Sequence, residues 1–211
     1  MSDTTTSPAT TPSLIPPEIR EQAMSASPDY FALMGLTERL VVDTAALQKT
    51  FYERSRVLHP DRFARAGADD RELSMQVSSL LNDAYRTLKD PLKRAEYVLT
   101  RHGFDIGEQR SSNVPPELLE EVFELNMALE ELRSGDEDAR PHLESAKGHF
   151  LRMQAEIDEG LDGAFARWDR AGADSSVSRA MLAEIRGSLN RRRYIQNLLR
   201  DVEAALAGTT S

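Results

Sequence analysis

Cysteine is absent from all 211 residues. That excludes disulfides, a thiolate nucleophile and any zinc or iron–sulfur centre ligated by cysteines of this chain. Long apolar runs are also missing. No stretch approaches the roughly 20 residues a helix needs to cross a bilayer. The opening MSDTTTSPATTPSLIPPEIR has no basic segment followed by an apolar one, and its first arginine is Arg20. Neither a secretory signal nor an arginine-rich transit peptide has that form, so a cytoplasmic protein is expected. An excess of positive charge is lacking too: the formal net charge is −9. Basic against acidic residues number 1 to 3 over 1–27, 12 to 12 over 28–105 and 13 to 20 over 106–211. An acidic second half argues against nonspecific nucleic-acid binding.

What is present suits one or two globular domains: 40% apolar residues and 29% charged. Residues 1–27 are rich in Ser, Thr and Pro without helical or strand periodicity, and read as a disordered tail. Helix-like segments follow. The first, 27–36, opens at a Ser or Asp cap and stops at Gly35. The next begins near Asp43, carries Leu47, Phe51 and Leu58 on one side and is stopped by Pro60. A third, over about 70–89, places Val77, Leu81, Ala84 and Leu88 at alternating steps of four and three. Asp90 and Pro91 open a further helix that Gly103 closes.

The polar stretch FDIGEQRSSNVPPE marks a domain boundary, giving a first domain over 28–103, a linker over 104–114 and a second domain over 115–208. Three longer amphipathic helices are predicted there, with core positions that include Leu118, Val122, Leu125 and Leu129, then Phe150, Phe165 and Trp168, then Ile195, Leu199 and Val202. Short turns between them predict an antiparallel bundle. The fold class is all-α.

The turn RVLHPDRF combines His59, Pro60 and Asp61 with a fringe of Arg54, Arg56, Arg62 and Arg65. As an acid–base pair, His59 and Asp61 are poorly placed, because two residues around a proline do not aim a carboxylate at an imidazole as a relay requires. As a metal site the turn offers too few ligands, and His102, His142 and His149 are scattered without a helical HExxH pairing. An ordinary helix stop is the plain alternative. The surroundings favour a third reading. Two amphipathic helices paired antiparallel would hold the turn at an exposed tip, beside a basic helix face suited to an acidic protein surface.

DYFALMGL, then a helix, then HPDRF, then LNDAYRTLKDPLKRAEYVL resembles a J-domain over about 28–100. The resemblance implies that His59, Pro60 and Asp61 trigger ATP hydrolysis by a chaperone of the DnaK class, with Arg54, Arg56 and Arg62 as electrostatic contacts. It also implies that Phe63, Asn82, Ala84 and Tyr85 pack or hold the turn. Leu58 departs from the family pattern, in which an aromatic residue precedes the histidine. The glycine/phenylalanine linker and Cys-rich repeats of general J-proteins are absent. An acidic helical bundle follows instead, and the chain from 28 to 207 is similar to the HscB family of co-chaperones for iron–sulfur cluster assembly. That similarity implies an L-shaped molecule whose bundle holds the cluster scaffold IscU and brings it to the chaperone HscA. It implies a monomer that is no enzyme itself and uses no cofactor, metal, membrane or nucleic acid. A J-protein serving general DnaK with another client is the alternative.

The helix PPELLEEVFELNMALEEL bears on the scaffold site. Leu118, Val122, Leu125, Leu129 and Leu132 form one apolar stripe; Leu119, Phe123 and Met127 form a second ridge about 140° round, flanked by Glu120, Glu124 and Glu131. Three readings stay open: both faces are buried in the bundle or against the first domain, a few apolar residues are simply exposed, or the second ridge is an apolar contact with an acidic rim. The resemblance places scaffold binding on this helix, at Leu119, Glu120, Phe123, Glu124, Met127 and Glu131, with Tyr194 as a supporting aromatic. The neighbouring arginines 191–193 point in different directions on a helix and are expected to balance nearby acids.

Overall fold

The computed structural model describes residues 15–105, 116–172 and 176–208. All regular structure among the described residues is helical, and the chain forms two compact units, one ending at Pro91 and the other beginning at Leu92.

In the first unit, helices α2 (Tyr30–Met34), α3 (Thr44–Leu58) and α4 (Ala68–Lys89) pack together. Their boundaries follow from local chemistry. The Asp29 carboxylate accepts the backbone N–H groups of Phe31 and Ala32 at 2.9 and 3.1 Å, and Asp43 does the same for Ala45 and Ala46. Gly35 ends α2 with φ +65°, a left-handed conformation that a β-carbon disfavours. α3 stops at Leu58 because His59 turns extended ahead of Pro60. Along α4 the buried residues Ser74, Val77, Leu81, Ala84 and Leu88 recur at helical spacing. Phe31, Leu33, Met34, Leu40, Leu47, Leu58 and Phe63 are further buried apolar residues of this unit.

One expectation is corrected here. Residues 17–24 are not a disordered tail: Pro17–Met24 form a helix, α1, packed on α4, with Ile15 and Ile19 buried. Proline at the first helical position loses no hydrogen bond, and the segment is pinned through the Asp29 N–H, which donates to Gln22 Oε1 at 2.6 Å. Ile19 lies within α1 and Ile15 just before it, too short an apolar pattern to stand out from a Ser/Thr/Pro-rich stretch. Residues 1–14 of the expected tail lie outside the described residues.

The second unit holds α5 (Pro91–Arg101), α6 (Leu119–Arg133), α7 (Arg140–Ala171) and α8 (Ser176–Leu206). The sequence reading groups α5 with the helices before it, whereas almost all of it belongs to this second unit. Side chains make the connection. Glu96 accepts from Arg193 Nη2 at 2.5 Å, the His102 ring stands edge-on to Trp168 at 5.9 Å, and the Arg179 guanidinium lies 5.0 Å from the Phe104 ring centre. Most of the expected linker, 106–114, lies outside the described residues.

α7 and α8 form a long hairpin, and α6 packs on it. One buried cluster joins Leu118, Val122, Leu125 and Leu129 of the α6 region to Leu143 and Phe150 of α7 and to Ile195, Leu199 and Val202 of α8. Arg192 clamps Asp158 through two hydrogen bonds of 2.5 and 3.2 Å, and Lys147 pairs with Glu203 at 2.8 Å. Arg140 Nη1 donates to the Leu206 carbonyl at 3.0 Å, satisfying a group that the end of α8 leaves without a helical partner.

Candidate functional site

Two surfaces carry the residues singled out by the sequence, one on each unit. The first is the turn after α3. Pro60–Phe63 make one turn of 3-10 helix, whose Phe63 ring is buried and anchors it from below. His59 and Asp61 stand outward, with side chains 58% and 90% exposed. They contact each other only locally: the Asp61 backbone N–H donates to His59 Nδ1 at 3.3 Å, and Asp61 Oδ2 lies 3.4 Å from the same nitrogen. Such a pair presents polar groups on a stiff turn.

The side chains that hold the turn differ in part from those the resemblance implies. Ala84 is fully buried, and the Tyr85 ring stacks on Phe51 of α3 with centres 4.3 Å apart and planes 13° from parallel. Asn82, however, donates to the Ser78 carbonyl one turn back in its own helix at 2.8 Å. It is the Ser78 hydroxyl that donates across to the Leu58 carbonyl at 3.3 Å. Sequence reasoning missed Ser78; its only signal was a position one turn before Asn82 on the same face. Leu58, in the place of the usual aromatic, is buried.

Among the basic residues, Arg56, Arg62 and Arg65 are exposed on the turn's flanks. Arg54 differs from them. It is half-buried, and its Nη2 lies where a β-carbon on Gly35 would come within 2.9 Å.

The second surface is α6. Val122, Leu125 and Leu129 are buried, whereas Leu119, Phe123 and Met127 are 55%, 64% and 50% exposed. Of the readings left open by the sequence, burial of both faces within the bundle is therefore not the one this unit adopts. Going round α6 at about 100° per residue, the apolar ridge gives way to Glu120, Glu124 and Glu131. Those carboxylates, with Met127, edge an open groove of about 740 Å3 between α6 and α7. Tyr194 is half-buried, packed against the cluster that also buries the inner face of α6. Its burial pushes the phenol above its ordinary pKa.

Residues 114–203 match the family described as the HSCB C-terminal oligomerisation domain. Most of the chain is also similar to solved structures. The chaperone HscB from Vibrio cholerae is 28% identical, with a TM-score of 0.57 over 86% of this chain and 99% of that one. The human co-chaperone protein HscB is likewise 28% identical, with a TM-score of 0.61 over 85% of this chain and 82% of that one. The matched C-terminal domain and these two structures support an HscB-family co-chaperone. Its all-helical architecture is the HscB one, an N-terminal J-domain followed by a C-terminal helical domain. HscB proteins are co-chaperones rather than a family of catalysts.

Proposed function

We propose that the protein stimulates the ATPase of an HscA-type, DnaK-class chaperone and delivers to it an IscU-type iron–sulfur scaffold, in the cytoplasm. The observation that carries this reading is the coexistence of two outward-facing surfaces on separately packed units: the His59–Pro60–Asp61 turn and the Leu119–Phe123–Met127 ridge. His59, Pro60 and Asp61 act as the trigger on the chaperone. Arg54, Arg56 and Arg62 speed the encounter with an acidic surface and fix its register. On the other unit, Leu119, Phe123 and Met127 supply an apolar contact, Glu120, Glu124 and Glu131 its acidic rim, and Tyr194 supports α6 from the core side. Assembly takes the form of complexes with these partners, the chain itself being monomeric. No bond is made or broken on this protein.

The test is an ATPase assay of the purified chaperone. Adding the protein should raise turnover, and adding the scaffold with it should raise turnover more than the two effects combined. Stimulation without any scaffold synergy would instead fit a J-protein of general DnaK with another client. No stimulation at all would end the proposal.

A further inference from the structure

Seven methionines carry all the sulfur of this cysteine-free chain, so any oxidation of sulfur falls on a thioether. Accessibility separates them. Met34 is buried, and Met153 and Met181 are half-buried. Met24, Met75 and Met127 stand out, with 75%, 57% and 50% of their surface exposed. Of these three, Met127 is the one on the α6 ridge, one helical turn from Phe123 on one side and from Glu131 on the other. Glu124 and Glu130 hold the neighbouring positions three residues away. Such surroundings select the oxidant. Carboxylates repel anionic oxidants such as hypochlorite or peroxynitrite, whereas uncharged hydrogen peroxide reaches the sulfur freely.

We propose that Met127 is a modification site, and that its oxidation by a peroxide to the sulfoxide reversibly switches off scaffold binding. This rests on the scaffold reading above and adds a regulatory chemistry to it. A sulfur lone pair attacks one peroxide oxygen as the O–O bond breaks. Sulfur gives up two electrons and keeps that oxygen; the other leaves as water with both peroxide protons. An apolar side chain in the ridge thereby becomes a polar one with a strong acceptor oxygen. Glu124, Glu130 and Glu131, when ionised, only accept hydrogen bonds, so none of them satisfies the new oxygen once a partner has excluded water. In the free protein the half-exposed sulfoxide stays hydrated, and the fold is untouched. A methionine sulfoxide reductase restores the thioether.

The experiment treats the full-length protein with hydrogen peroxide, removes the peroxide with catalase and only then adds a purified IscU-type scaffold. Peptide mapping by mass spectrometry should find one added oxygen on Met127, with Met24 and Met75 as exposed references. Affinity by calorimetry should fall about tenfold, the scale of one buried acceptor left unsatisfied, with an unchanged melting midpoint. Methionine sulfoxide reductases A and B with a thiol reductant should recover it. In Met127→Leu, peroxide should leave affinity where it stood before treatment. The proposal is overturned by an unmodified Met127 beside oxidised Met24 and Met75, or by a modified Met127 with undiminished affinity. An equal loss in treated Met127→Leu overturns it too, placing the effect on another methionine. Full scaffold binding by untreated Phe123→Ser is a separate result, which sinks the scaffold reading itself.

Discussion

Phe51 of α3 and Tyr85 of α4 stack with ring centres 4.3 Å apart, and Lys89 Nζ lies 5.5 Å from the Tyr85 ring. This aromatic contact, together with the Ser78–Leu58 hydrogen bond, joins the two helices whose ends present the His59–Pro60–Asp61 turn. Tyr85→Ala should cost about 1–2 kcal/mol of stability in the first unit, since stacked aromatic pairs contribute beyond their area burial. Tyr85→Phe should stay within about 0.5 kcal/mol, because the stack survives. Denaturant unfolding followed by circular dichroism checks both. Equal losses would show that the hydroxyl, not the ring, is the stabilising group.

His59→Gln tests the turn without disturbing its support. The side chain is mostly exposed, so the melting midpoint should hold. ATPase stimulation should disappear while scaffold affinity stays at the wild-type level. Stimulation that survives the change would remove His59 from the trigger.

Gly35→Ala reaches the same surface from behind. At φ +65° an alanine is strained by about 1–2 kcal/mol, and its β-carbon would meet the Arg54 guanidinium at 2.9 Å. Lower stability and weaker ATPase stimulation should appear together. Reduced stability with full stimulation would show that Arg54 takes no part in the chaperone contact.

On α6, two substitutions two residues apart should have opposite signatures. Phe123→Ser removes an exposed ring and should leave the fold intact while weakening scaffold binding by about 30-fold or more, the usual scale of an interface hot spot. Leu125→Ala removes a buried side chain and should cost about 2–5 kcal/mol of stability. Calorimetric binding and thermal melts of both variants separate contact from core.

Tyr194 predicts an alkaline effect. Burial raises its folded pKa above the ordinary phenol value of 10.0. Below pH 10 the phenol is protonated in folded and unfolded chains alike and contributes no pH dependence. As pH rises further, the unfolded chain loses its proton first, so stability falls until the folded phenol ionises too. Tyr194→Phe should remove that part of the decline. Urea midpoints of the two proteins, measured from pH 9 to 11, should diverge with increasing pH; parallel curves would refute the burial effect.

The sequence determined everything that depends on neighbours a few residues apart. Asp29 and Asp43 announced their helices, Pro60 ended one, and the four-and-three spacing of Val77, Leu81, Ala84 and Leu88 gave the inner face of α4. The paired ridges of α6 were legible for the same reason, because helical phase is a local property. Which ridge meets water was not legible. That depended on Leu143, Phe150, Ile195 and Val202 covering Leu125 and Leu129 from helices far along the chain, while nothing in this unit covers Phe123 to the same degree. Tertiary structure also decided that Ile15 and Ile19 dock on the first unit, that Glu96 and His102 tie α5 to the second, and that Ser78 rather than Asn82 holds the turn. The groove beside Met127 exists only because α6 and α7 lie next to each other, and no periodicity within either helix records what stands across from it.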